Sequence, residues 1–154
     1  MNNKSIAAAY ESTRVFNSVA GNLFDVDEFT VDNQISYIWE EFAECVDAFE
    51  QKDSVEVLDA ACDLFVTVAG LMQKLESAGF NVEEALKRVC QNNMDKYIPV
   101  GKHLSYDSAF TATLNEEHNV WVLRDSNQKI RKPSSFQSVE LNDLVPNYFF
   151  EGVA

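Results

Sequence analysis

The chain has 154 residues, enough for one domain with a real core, and its 46% hydrophobic and 24% charged content is that of an ordinary globular protein. Its net charge of −13 argues against a nucleic-acid backbone or an anionic membrane surface as the main partner. The scattered cysteines Cys45, Cys62 and Cys90 read as reduced core thiols, no secretory signal opens the chain, and no run reaches the ~18 apolar residues of a membrane span, so the cytoplasm is the expected compartment.

Residues 5–24 read as a first helix, with Val15, Phe16, Val19 and Leu23 on one side. An acidic connection, DVDEFTVDN, follows. A second helix is expected from about 30 to 51, where Ile35, Ile38, Trp39, Phe42, Cys45, Val46 and Phe49 form an amphipathic stripe. KDS at 52–54 breaks it, and Asp53 with Glu56 resembles a capping box for a third helix over 54–77. That helix is apolar on most sides, which predicts burial by neighbours, and Gly79 can end it in a left-handed cap. Asn81 caps a fourth helix, with Glu84 completing the box and Pro99 closing it off. Beyond residue 100 the stretches AFTATL and VWVL are β-prone, and VWVLRDSNQKIRKP predicts a hairpin turning at Asp125–Gln128.

These elements predict an all-α antiparallel bundle of about four helices over residues 1–98, followed by a C-terminal extension, 99–154, that contains a short β-hairpin. The charge is uneven. From Asp25 to Glu50 there are nine acidic residues and no Lys or Arg.

Within the second helix Glu41 borders the apolar face, Glu44 lies further round on the same side, and Glu40 and Asp47 fall on the outer back. On the third helix Glu56, Asp59, Asp63, Thr67 and Gly70 make a narrow polar stripe. The helix dipole and a cap explain Glu56 and Asp59 without any ligand role. Asp63 is different, because it stands mid-helix in AACDLFVTVAGLM with no Lys or Arg within ten residues. A three-residue loop makes the two acidic helices antiparallel, which brings Glu41 and Glu44 towards Asp59 and Asp63. Carboxylates gathered this way repel unless a divalent cation lies between them, and an oxygen-only donor set suits Mg²⁺ or Mn²⁺.

EEFAE at Glu40–Glu44, then EVLDAACDLFVTVAG, then RVCQNNMDKY after GFNVEEAL, resemble the all-α nucleotide pyrophosphohydrolases. That group includes MazG and phosphoribosyl-ATP pyrophosphohydrolase, and the pattern is most similar to its phage-type MazG-like members, over roughly residues 15–98. The resemblance implies Mg²⁺-dependent hydrolysis of a nucleoside triphosphate to monophosphate and pyrophosphate. By position, Glu41 and Glu44 match the acids of the first motif, Asp63 the acid of the second, and Asn93 and Lys96 the metal- and phosphate-holding residues of the third. The widespread second motif is ExxD, whose Glu would fall at Ala60; the acid stands at Asp59 instead, and Glu56 is the other claimant. In that scheme Glu41 accepts the proton of the attacking water and Lys96 offsets charge on the leaving pyrophosphate.

Other chemistries fit less well. A di-iron bundle needs Glu-x-x-His pairs, yet His103 and His118 lie outside the helical part. DVDEFTVDNQIS lacks the glycine and the last glutamate of an EF-hand, and no phosphate-binding GxxxxGK[ST] occurs. The competing expectation is a non-catalytic acidic helical dimer or interaction module that kept the fold. Few helices are available to enclose a site, so a homodimer or homotetramer is expected. Tyr37, Trp39 and Phe42 could line a base pocket or be core, while KIRK with Trp121, Tyr148, Phe149 and Phe150 could cover a nucleotide but read better as structural.

Overall fold

The computed structural model describes residues 3–147 and 149–150, so Tyr148 lies outside the described residues. Four helices come first: α1 (Asn3–Val19), α2 (Glu28–Gln51), α3 (Ser54–Ser77) and α4 (Val82–Met94). Three short strands follow, β1 (Ile98–Pro99), β2 (Thr111–Asn115) and β3 (Val120–Arg124), then a 3-10 turn at Asn142–Leu144. The helical fold with a small β extension is as the sequence predicts. The chain divides into two compact units, Met1–Val82 with Leu144–Ala154, and Glu83–Asp143.

In the first unit, helix ends follow from local chemistry. Helix α1 stops at Val19, short of the expected 24, because Gly21 turns the chain left-handed at φ +76°. Helix α2 starts earlier than expected. Asp27 accepts from Thr30 N at 2.8 Å while Thr30 Oγ1 receives the Asp27 N–H at 2.9 Å, a reciprocal box inside the stretch read as a connection. At its other end Lys52 takes the left-handed conformation, φ +59°. Asp53 accepts from Val55 N at 3.0 Å and Glu56 N at 3.2 Å, which starts α3 at the expected residue.

Helices α2 and α3 pack antiparallel, with Val31, Ala48, Ala60 and Ala69 buried. Helix α1 lies against α3, where the contacts are polar. Asn17 Nδ2 donates to Gln73 Oε1 at 3.1 Å, Gln73 Nε2 donates to the Tyr10 carbonyl at 2.9 Å, and Arg14 Nη2 meets Glu76 Oε2 at 2.7 Å. The last segment closes on the connection that follows α3, through Asn81 N to Leu144 O, 2.9 Å, and the edge-to-face pair Phe80–Phe149.

The expected burial of α3 on most sides is corrected. Leu58 is 67% exposed, and on α2 Trp39 is 67% and Phe49 74% exposed. Amphipathic patterning says which face is apolar; only a covering element buries it, and the described residues of this unit supply none there. The core-thiol reading fails for the same reason. Cys62 and Cys90 are exposed and Cys45 is half-buried, although all three are free as expected.

The second unit holds α4 and an antiparallel sheet in the order β1-β3-β2, with fully buried Leu123 on its central strand. Leu114 pairs with Trp121 and Ala112 with Leu123. The main hairpin is thus β2–β3, turning at 116–119. The expected turn at Asp125–Gln128 exists, with Gln128 at φ +63° and Lys129 N donating to Asp125 Oδ1 at 3.0 Å. Its returning limb pairs only through the bridge Arg124–Ile130, and three residues further on Pro133 has no N–H to extend a ladder. Pro99 sits in β1, while α4 ends at Met94. Arg88 ties α4 to its own unit by a fork onto Asp143, 2.7 and 2.9 Å, and a bond to Glu84 Oε1 at 3.0 Å.

Candidate functional site

The acids of interest stand on two rods joined by two residues. Glu41 and Glu44 project from α2, and Asp59 and Asp63 from α3. A helix rises about 1.5 Å per residue, so each pair spans about one turn of its helix. Glu41 is half-buried; Glu44, Asp59 and Asp63 are exposed. Asp63 is therefore not a charge sealed in a core. Its flanking apolar residues Phe65 and Val66 are themselves 41% and 40% exposed.

Electrostatics link the two helices. Burial first, then the charge of Asp63, then those of Glu44, Glu40 and Asp59, hold the Glu41 carboxyl above its ordinary range. The strongest charge acting on Glu41 is thus that of the aspartate singled out from the sequence. Glu40, placed on the outer back of α2 by the helical wheel, also contributes. Among the described residues, no group of three or more His, Cys, Asp or Glu side chains stands ready to hold a metal ion. The four acids form a patch of mutual repulsion, not a finished coordination shell. Their donors are all carboxylate oxygens, the chemistry that suits a hard divalent cation.

Asn93 and Lys96 belong to the second unit, at the end of α4 and just beyond it. Lys96 Nζ donates to Asn93 Oδ1 at 2.7 Å. The two positions singled out from NNMDK therefore act as one polar group, which a lone cation at a helix end would not be. Among the aromatic candidates, Tyr37, Trp39 and Phe42 are 51%, 67% and 48% exposed, so none is core within its unit; Trp39 and Phe42 meet edge to face at 6.1 Å. Phe149 and Phe150 pack on each other, and Phe149 packs on Phe80.

Sequence reading missed a buried amide group one to two turns from the acids. Gln34 of α2 donates through Nε2 to the Thr67 carbonyl of α3 at 2.9 Å. Gly70 leaves the room, since a Cβ there would lie 3.1 Å from Gln34 Nε2 and 3.3 Å from Asn17 Nδ2. A signal was present: Gly70 ends the polar stripe of α3, and Gln34 falls seven residues before Glu41 on one face of α2.

Residues 21–93, which contain all of α2, all of α3 and most of α4, match the family model of phosphoribosyl-ATP pyrophosphohydrolase. Over that segment the chain is similar to this family. The family is one of MazG-like all-α pyrophosphohydrolases, hydrolases acting on phosphoric anhydride bonds, and is typically dependent on a divalent metal. No curated protein and no solved structure matches the chain. All four acids and Asn93 fall within the matched segment, and Lys96 lies three residues past it. Among the described residues no helix is long and apolar enough to cross a membrane.

Proposed function

We propose that this domain hydrolyses a nucleoside triphosphate to the monophosphate and pyrophosphate, with Mg²⁺, or Mn²⁺ in its place, held by Glu41, Glu44, Asp59 and Asp63. The observation that carries the proposal is the charge coupling of Glu41 to Asp63 across the α2–α3 pair, inside the segment that matches the pyrophosphohydrolase family. Like charges so placed are costly on their own and become useful when a cation offsets them. When bound, such a cation supplies charge neutralisation between the acids and the phosphates and makes a nearby water more acidic.

The residues of the chain then have distinct work. A water oxygen attacks the α-phosphorus and its proton passes to Glu41, the half-buried member of the four acids. The bond from the α-phosphorus to the α,β-bridging oxygen breaks, and its electron pair leaves on pyrophosphate. Lys96, held by Asn93, is the cation assigned to phosphate oxygens. Asp59 is preferred to Glu56 as the fourth acid because it acts on Glu41, whereas Glu56 lies in the first turn of α3.

The exposed apolar faces of α1 to α3 support a homodimer or homotetramer. Phe16, Trp39, Phe49, Val55 and Leu58 are each at least 66% exposed, more large apolar surface than a lone domain leaves to water. The same faces favour the second reading, a non-catalytic helical dimer. Incubation with each dNTP and NTP, with and without Mg²⁺, separates the two. Metal-dependent pyrophosphate release that falls about 100-fold or more in Glu41→Gln and Asp63→Asn supports the hydrolase. Absence of release from every nucleotide, or unchanged activity in both variants, leaves the dimer.

A further inference from the structure

We infer that Gln34, seated in the slot left by Gly70, is a positioning residue that sets the register of α2 on α3 and so holds Glu41 opposite Asp63. The inference rests on the metal-binding reading of the acids proposed above.

Between α2 and α3 the large apolar side chains do little to fix register. Ile35, Phe42, Phe65 and Val66 are each at least 40% exposed, and the buried apolar residues of the pair are Val31 and the small Ala48, Ala60 and Ala69. A contact lined mostly by small side chains tolerates sliding, and a slip of one residue moves a side chain about 1.5 Å along the axis and turns it about 100°. A directional bond resists that slip. Gln34 Nε2 to Thr67 O, 2.9 Å, is the side-chain hydrogen bond from α2 to α3 among the described residues. It does not end at Thr67. The Thr67 hydroxyl donates to the carbonyls of Asp63 at 3.0 Å and Leu64 at 3.1 Å, so the link runs from Gln34 to the backbone of Asp63.

The slot is specific. Gln34 is buried at 6% exposure, and any side chain at position 70 would press on its amide. Glu41 stands about two turns from Gln34 on the same side of α2, and Asp63 about one turn from Thr67. The bond and the acid pair therefore lie along one seam. Gln73 and Asn17 form a separate set of bonds that join α1 to α3 and do not touch α2.

The test is Mn²⁺ binding by the full chain, measured by titration calorimetry, beside far-UV circular dichroism. Gln34→Met keeps the volume and removes the donor, and is expected to weaken Mn²⁺ binding about tenfold with helicity intact. Gln73→Met lowers the melting temperature through α1 and leaves Mn²⁺ affinity unchanged. If Gln34→Met does not fold, Gly70→Ala displaces the same amide and carries the same expectation. Wild-type affinity in the folded Gln34 or Gly70 variant overturns the inference, as does an equal loss in Gln73→Met. Absence of Mn²⁺ binding by the wild-type chain overturns the metal reading itself and the positioning role with it, whereas the other two results leave the metal reading standing.

Discussion

Gly70→Ala sets two effects of opposite sign against each other. Within a helix the exchange gains about 1 kcal/mol of propensity, because alanine loses less backbone freedom on folding. Against that stands the new Cβ, 3.1 Å from Gln34 Nε2 and 3.3 Å from Asn17 Nδ2, both tighter than ordinary contact. Neither amide can step aside cheaply. Gln34 is tied to the Thr67 carbonyl at 2.9 Å, and Asn17 donates to Gln73 at 3.1 Å and accepts from Asn22 at 3.2 Å. Losing one buried hydrogen bond costs about 1–3 kcal/mol and overpacking about 1–3 kcal/mol more, so the loss exceeds the gain. The expected net destabilisation is about 2 kcal/mol, a fall in melting temperature of roughly 4–8 °C for a chain of this size. Thermal melts at 222 nm, with urea titrations as a second measure, read it directly. Gly101→Ala is the contrast, since nothing lies within 4 Å of a Cβ there and the cost comes only from φ +90°. A Gly70→Ala melting temperature at or above wild type refutes the tight slot.

Other perturbations follow from the same geometry. Gln73→Met removes two hydrogen bonds of a side chain that is 0% exposed and takes the acceptor from the buried Asn17 Nδ2, so urea unfolding should show a loss of about 1–3 kcal/mol. Glu41→Gln should raise the neutral-pH melting temperature of the metal-free chain. The folded-state pKa of Glu41 lies above its unfolded value, so its charge destabilises the fold as pH rises through that window, and the gain should vanish below pH about 4. A neutral-pH melting temperature no higher than wild type refutes the charge coupling. Lys74→Met keeps the buried stem of α3 and removes an ammonium whose pKa burial lowers and Asp27 only partly restores, so it should stabilise at pH 7. Because the charged form is the disfavoured one, wild type should approach the variant as pH rises through the lowered lysine pKa. Melts across that range test the sign.

The sequence by itself determined what depends on near neighbours along the chain. The bounds of α3 follow from Asp53 as its cap and from unbroken helical periodicity up to Ser77, and the extent of β3 from the β-prone run at 120–124. The acidic motifs on α2 and α3 were legible too, because spacing alone puts Glu41 and Glu44, and Asp59 and Asp63, one turn apart on their helices. Tertiary structure decided what depends on partners distant in sequence. Asp63 proved exposed because no element among the described residues of its unit covers that face, and the same absence left Cys62, Leu58 and Phe49 in solvent. A helical stripe states a preference for burial, but whether anything buries it is a property of the packed chain. Strand pairing behaved likewise: the turn at Asp125 was readable, yet β3 took β2 as its main partner, because a ladder forms with whichever limb has matching length and free N–H groups. Gln34 was hidden most deeply. An amide carries no periodic signal, and its function appears only when a carbonyl 33 positions away comes within 2.9 Å.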